Sequence, residues 1–332
     1  AWYDAGRRNG IDEPGSLSDV SVVRLSGDTP ASFSVAVGAG ITAVDLDAEE
    51  ATAYVTTSDG VSVIDLDALT GDTFAPPFGG DLDVAMGRVV PSNGAVVASV
   101  DGEAAVAVVW TTGAATERVD LSARAVSIAA VPGRSQALVA TADGALHDLR
   151  VDEGESAIAA TYEGDLERLW VSPDGRWVIG TATGTSVSVV DLDAGTSSTF
   201  DVQKPLTGAF FAPDGAAAVL THTRSAGDPA TAPNEEELVA RLEAVSVLLP
   251  VEERVKLFQI PAPAASIAFH AGATFVLSVA AGGASSVEWI DLTTLRARRV
   301  PLLRRGETIG AVPAANAIFI SQQHPLGRIG FL

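Results

Sequence analysis

The stretch VSPDGRWVIGTATGTSVSVVDLD at 171–193 decides the fold. It reads as an apolar run, a Pro-Asp-Gly turn, a second apolar run, a short Gly turn, and then V-x-V-hydrophobic-Asp-Leu. β-Branched residues suit a pleated surface, while Pro, Asp and Gly interrupt it, so the stretch predicts strand, turn, strand, turn, strand. The same reduced pattern returns as AFFAPDGAAAVLTHT at 209–223. Weaker copies are VVPSNGAVVASVDGEAAVAVVW at 89–110 and AVPGRSQALVATADGALHDL at 130–149. Aligned on the first turn, Pro91, Pro132, Pro173 and Pro213 fall 41, 41 and 40 residues apart. A short-strand repeat of that period marks a β-propeller with one four-stranded blade per repeat.

The register extends in both directions. His270 and Pro313 hold the turn position in later repeats, and Glu49 lies near it in the first. That predicts seven blades, with innermost strands beginning near Ile41, Val84, Val126, Arg168, Thr207, Ser266 and Ile309. Second strands are expected at 51–57, 94–100, 136–141, 176–181, 216–222, 274–280 and 317–322. The clearest third strands are 61–67, 187–193 and 287–293. The fourth strand of each blade should be short and polar, as an exposed outer edge requires. The whole chain, 1–332, then reads as one all-β domain behind an extended N-terminal segment, 1–19.

The last repeat stops at GRIGFL, 327–332, where its siblings continue with Asp-Leu. VSVVRL at 20–25 and SFSVAV at 32–37 look like the strands it lacks. N- and C-terminal strands sharing one blade would close the ring without an exposed inner edge. Val20–Leu25 and Arg328–Leu332 both suit the third-strand position.

One repeat is overlong: 57 residues separate Pro213 from His270. The excess is SAGDPATAPNEEELVARLEA, 225–244. Asn234 is a good N-cap, Glu235, Glu236 and Glu237 suit a helix N-terminus, and Leu238, Val239 and Leu242 form an apolar stripe. A short helical insert between second and third strands is expected there, and the stripe is a candidate partner contact.

Composition excludes several classes. The 332 residues are 47% hydrophobic, ample for a large core, and carry a net charge of -21. Lys204 and Lys256 are the only lysines, so no basic tract suits a phosphate backbone. With no cysteine, disulfides, thiolate metal sites and Cys nucleophiles are excluded. No run of 18 apolar residues offers a membrane span. The chain opens on Ala1, and its sole methionine is Met86. That suits removal of an export signal, or a fragment.

AYVTTSDGVSVIDLDALTG at 53–71 resembles the YVTN-type propeller repeats of bacterial and archaeal surface proteins. The resemblance is carried by Tyr54, Val55, Thr56, Gly60 and Val61 to Asp65. VSPDGRWVIGTATGTSVSVVDLDAGT at 171–196 is similar. It implies a propeller outside the cytoplasm, periplasmic or on the cell surface. Adhesion proteins, binding modules and some lactonase-like hydrolases share such repeats. No blade opens with Gly-His or ends with Trp-Asp, as WD40 blades do.

Candidate chemistry is sparse. Asp45 and Asp47, Asp65 and Asp67, and Asp191 and Asp193 pair carboxylates two residues apart. Calcium would require further oxygen ligands, and no EF-hand continues from them, so turn hydrogen bonding is the expected role. His147, His222, His270 and His324 are scattered over different repeats. No metal site, cofactor fingerprint, phosphate loop or nucleophile elbow is present, so neither catalytic nor cofactor-binding residues are assigned. Trp170 and Trp177 flank a turn and suit packing between sheets. Trp2 and Tyr3 sit in a polar stretch and call for a partner surface. Arg296, Arg298, Arg299, Arg304 and Arg305 form the chain's one basic patch, a candidate for docking an acidic protein or an anionic head group. The expectation is a non-enzymatic interaction scaffold, an exported subunit contacting other protein subunits. The alternative is a lactonase-like hydrolase, or a small-ligand or metal-binding propeller, working at the channel mouth.

Overall fold

Short β-branched runs between Gly, Asp and Pro turns give this chain strands of two to seven residues and very little helix. A computed structural model describes residues 2–4, 17–24, 31–41, 43–46, 51–78, 84–89, 95–100, 103–110, 115–162, 166, 168–181, 184–323 and 328–331. The chain divides into two compact units, Ala1–Leu169 and Trp170–Leu332.

In the first unit, β1 (Trp2–Asp4), β2 (Ser18–Arg24) and β3 (Ala31–Val37) begin a sheet of their own. The next sheet contains β4 (Ala43–Leu46), β5 (Thr52–Thr57) and β6 (Gly60–Asp65). The chain then splits its allegiance. β7 (Thr73–Phe74) pairs parallel with β3, whereas β8 (Pro77–Phe78) pairs antiparallel with β6. Two antiparallel four-stranded meanders follow. One runs through β9 (Val84–Val89), β10 (Ala95–Val100), β11 (Ala105–Trp110) and β12 (Ala115–Asp120). The other runs through β13 (Ala125–Ala130), β14 (Gln136–Thr141), β15 (Ala145–Arg150) and β16 (Glu155–Thr161).

The strand β17 (Arg168–Val171) crosses the division at Leu169 and Trp170 and shares a sheet with β18 (Trp177–Thr181), β19 (Ser186–Asp191) and β20 (Thr196–Asp201) of the second unit. Then come β21 (Leu206–Phe211), β22 (Ala218–His222), the helix α1 (Glu235–Arg241), β23 (Ala244–Leu249) and β24 (Arg254–Gln259). β25 (Ala264–His270), β26 (Ala273–Val279), β27 (Ser285–Asp291) and β28 (Arg296–Leu302) form the next sheet. The last has three strands, β29 (Gly306–Val312), β30 (Ala317–Gln322) and β31 (Arg328–Phe331). The Pro-Asp-Gly turns close through Gly175 and Gly215 at φ 70° and 69°, where a Cβ would be strained.

Burial explains the strand order. Every residue of β18 and β23 is buried, whereas β28 is exposed over its first four residues. The middle strands are thus covered on both faces, and the fourth is a rim. Within the second unit, Trp177, Ile179, Leu220 and Leu248 join the first two sheets in one cluster. Val219, Val247, Val276 and Ile290 join the next pair, and Leu277, Val287, Ile318 and Ile320 the last. Trp170 packs against the cluster that holds Trp177 and joins the two sheets, as expected. These stacked four-stranded meanders, one per repeat, are β-propeller blades.

The predicted innermost strands form within a few residues of their expected starts, and α1 lies inside the expected insert. The sheet count differs. Among the described residues there are eight sheets, not seven. The N-terminal strands do not serve as third and fourth strands of the last repeat. β2 finds partners in β1 and β3, and β3 gains β7. Val20, Val35 and Val37 then pack on Ala53, Val55 and Ile64 of the neighbouring sheet, satisfying their apolar face within the first unit. The turn at Pro91, Asp47, His324 and most of 1–19 lie outside the described residues. Among the described residues no helix is long and apolar enough to cross a membrane.

Candidate interaction site

The 225–244 insert leaves sheet β21–β24 between its two central strands and is folded back onto it by polar contacts. Asn234 caps the helix, its Oδ1 accepting from the Glu237 amide at 2.8 Å. Glu235, Glu236 and Glu237 lie where the helix dipole favours negative charge. Arg241 in the last turn reaches Glu237 at 3.1 Å.

The carbonyl end is closed by a residue from outside the insert. Lys204, in the link from β20 to β21, donates from Nζ to the carbonyls of Val239, Ala240 and Leu242 at 2.8, 2.8 and 2.9 Å. A helix end leaves its last carbonyls without partners, and an ammonium carries three N–H donors. The two sets match. Arg224 Nε adds a bond to the Arg241 carbonyl at 2.8 Å. Lys204 is buried, and that burial lowers its pKa. No helix residue is itself buried. Val239 and Leu242 are half-buried, and Leu238 stays 38% exposed. Polar clamps at its ends therefore hold the insert, and part of its apolar stripe faces outward.

His222 continues the clamp into the sheet. Its Nδ1 lies 3.2 Å from the Lys204 carbonyl and its Nε2 2.8 Å from Ser246 Oγ. Nδ1–H donates to the carbonyl, which leaves Nε2 to accept from the buried Ser246 hydroxyl. Burial, the largest influence, depresses the imidazole pKa to about 4. The ring is neutral at physiological pH.

Sheet β13–β16 repeats the theme. His147, on β15, has Nε2 2.8 Å from Ser122 Oγ and Nδ1 2.8 Å from Ser156 Oγ. Burial lowers its pKa too. Thr141 donates to Asp143, and this bond, with one from Ser122, holds that carboxyl below its usual range. In the sheet of β4, β5, β6 and β8, Asp59 Oδ2 accepts from the Ala39 amide at 2.7 Å. In each case the link entering a sheet is tied to the region where its second strand turns into its third. An exposed serine on a neutral, oriented imidazole is also the pairing that activates a nucleophile.

The arginine patch lies on the outer edge strand β28 and the loop beyond it. Arg299 pairs with Glu288, which is buried on β27. Arg296 stands opposite Asp291 and Arg298 opposite Trp289 in the ladder. The Trp289 ring lies parallel to Phe275, centroids 6.4 Å apart, and stays 40% exposed. Arg304 and Arg305 are exposed in the loop beside Leu303, which is 88% exposed.

The remaining candidates separate. Trp2 and Tyr3 pair through their backbones with Val22 and Ser21, and their side chains lie outside the described residues. Asp65 Oδ1 accepts from the amides of Asp67 and Ala68, and Asp191 Oδ1 from those of Asp193 and Ala194. These carboxylates cap turns, as expected. Arg176 also pairs with Asp191 at 2.7 Å, which lowers the Asp191 pKa. His270 bonds Asn316 at 3.0 Å between turns of neighbouring sheets. Among the described residues no three His, Asp or Glu side chains converge as metal ligands. Sequence reasoning missed Lys204 and the histidine–hydroxyl pairs. The only hint was a lone lysine before a proline in a chain with two lysines.

No family model matches this chain, and no curated protein does. Solved structures do. A chain of the mitotic checkpoint complex is 11% identical over 88% of this chain and 86% of its own, TM-score 0.49. The Cps50 (Swd1) β-propeller domain of Myceliophteria thermophila is 11% identical over 96% and 99%, TM-score 0.45. The dihydro-heme d1 dehydrogenase NirN, in complex with DHE, is 14% identical over 99% and 75%, TM-score 0.54. At such identities the likeness is one of fold alone.

Proposed function

We propose that this chain is a non-enzymatic interaction scaffold, a β-propeller subunit of a larger assembly that holds other protein subunits. One observation carries the reading. The α-helical insert at 225–244 is pinned at its carbonyl end by Lys204, while Leu238 is left facing outward. A preorganised apolar contact costs less ordering entropy on binding than a loose loop. Insertions in repeat proteins also gather on the binding face. The reading takes 1–332 as one propeller domain of YVTN-type repeats. The repeat runs through both units, and the likeness to the dehydrogenase spans 99% of the chain. It places the protein in the periplasm or on the cell surface on the strength of the YVTN-type resemblance alone, since a chain without cysteine suits either side of a membrane.

The test is copurification from the native source with Leu238→Asp. Loss of the partner with an unchanged melting temperature is the expected result. A partner that stays bound, or a propeller that unfolds, overturns the reading.

A second reading, hydrolysis by a lactonase-like propeller, is favoured by the Ser122–His147–Ser156 geometry alone. It requires covalent labelling of Ser122 by a fluorophosphonate. Labelling that persists in Ser122→Ala, or no labelling, removes it.

A further inference from the structure

The turn between β25 and β26 is cut short. In the two preceding sheets a backbone bond closes the same turn, from the Ser172 amide to Trp177 and from the Ala212 amide to Ala217, leaving tips of four residues, 173–176 and 213–216. In sheet β25–β28, His270 pairs with Ala273, and the tip is Ala271 and Gly272 alone. Their φ values, 48° and 73°, suit a two-residue I′ turn. Beside this short tip a notch opens against sheet β21–β24. Both sheets belong to the second unit and share a core cluster.

The notch is a cavity of about 380 Å³, the size of a small-molecule site. Its floor is apolar: Ala217, Leu249 and Ala273 are buried, and Phe269 is half-buried beside them. Its charged walls are carboxylates. Asp214 stands exposed on one turn and Glu252 on another, and among the described residues no Lys or Arg lines the cavity. Asp214 Oδ1 accepts from the Ala216 amide at 3.1 Å and Glu252 Oε2 from Arg254 at 2.8 Å, so each carboxylate keeps an oxygen to spare. His270 Nε2 lies 3.0 Å from Asn316 Oδ1, which can only accept, so Nδ1 is left an acceptor as well. An apolar floor under spare acceptors and negative charge asks for a cation with an apolar body.

We propose that this notch binds a small organic amine, a protonated primary ammonium on a short apolar or aromatic stem. Asp214 and Glu252 draw the ammonium, and the stem lies on Ala217, Leu249 and Phe269. The two contributions need each other. An exposed charge pair is worth little by itself, and burial of the stem supplies the rest. A bare metal ion is a poor occupant, because among the described residues no three His, Asp or Glu side chains converge around one point. The inference goes beyond the interaction-scaffold reading and does not rest on it. The notch lies among turns that join first to second and third to fourth strands, whereas the 225–244 insert joins second to third, at the other end of its sheet.

The test titrates phenethylamine into the full chain, followed by the NMR shifts of the Ala217 and Ala273 methyls and by calorimetry. Saturable binding with a dissociation constant on the order of 1 mM is the expected result for so small a ligand. Asp214→Asn with Glu252→Gln keeps the side-chain shapes and should weaken it about tenfold. Thr293→Lys, on the same wall, supplies a tethered ammonium and should abolish it. Glu117→Gln with Glu155→Gln removes the same charge from the first unit and should change it by less than about twofold. All five substituted residues are exposed, so each variant should fold. The proposal is overturned if phenethyl alcohol or 3-phenylpropionate binds as well as the amine, or if no saturable shift appears. It is also overturned if both double variants weaken binding alike, which leaves only attraction to a chain of charge -21. Binding of N-acetyl-lysine methylamide with none of phenethylamine would give the notch to a partner's lysine and overturn it too. A failed titration with the Leu238-dependent copurification intact sinks the amine site alone.

Discussion

The Nζ of Lys204 lies 2.8 Å from the carbonyl oxygen of Val239, so a side chain 35 residues earlier closes the one α-helix among the described residues. A seven-residue helix is too short to be stable alone in water. Its persistence depends on contacts like this one.

Replacing Lys204 by Met keeps the buried stem and removes the three donors. The carbonyls of Val239, Ala240 and Leu242 then lose their bonds from Lys204. The expected cost is about 2 kcal/mol in urea unfolding, with faster proteolysis inside 225–244 than elsewhere. Equal protease resistance would show that the helix is held by something else.

Acid should loosen the same region. His222 has a folded pKa of about 4 against an ordinary value of 6.5. The unfolded chain therefore binds more protons between those values. Stability is full above pH 6.5 and falls as pH drops toward 4, by roughly 3 kcal/mol from this residue. His147 is displaced in the same direction by burial and adds to the slope. Urea midpoints at pH 7 and pH 4.5 measure it, and His222→Gln should flatten the difference.

Two neighbouring arginines on β28 should behave differently. Arg299→Ala leaves buried Glu288 without its guanidinium and should cost about 2 kcal/mol. Arg298→Ala removes an exposed cation and should stay within about 0.5 kcal/mol. Thermal melts of the two variants, and of Arg299→Leu with Glu288→Leu, separate pairing from packing. The double variant should recover most of the loss.

What could be read ahead of the structure follows from the range of the forces involved. Turn chemistry and strand alternation are local, so the repeat placed β9 at Val84 and β17 at Arg168. The cap at Asn234 was equally local. Pairing partners are not. Nothing near Val20 or Phe33 says whether the β2–β3 hairpin joins the last repeat or makes its own sheet, because any apolar-faced edge would serve. The splitting of 73–78 between two sheets has the same origin. Lys204 was invisible for another reason: its acceptors are backbone carbonyls, which every residue owns, so no motif announces them. The Arg299–Glu288 pair needed the register of β27 against β28, which a composition-level reading of the arginine cluster lacked.

The parallel contact between Ala36 and Phe74 has a consequence for how the protein is made. A ribosome delivers the β2–β3 hairpin before it has synthesised Thr73 and Phe74. That hairpin must wait, with the edge of β3 bare, through the making of the whole next meander. Only when the chain has passed Phe74 can a strand lock onto the first sheet while Pro77 and Phe78 finish the second. Two blades are thus completed together by one six-residue stretch. A stalled or cleaved chain that ends before it leaves both unfinished, with adhesive edges for chaperones or like chains to find.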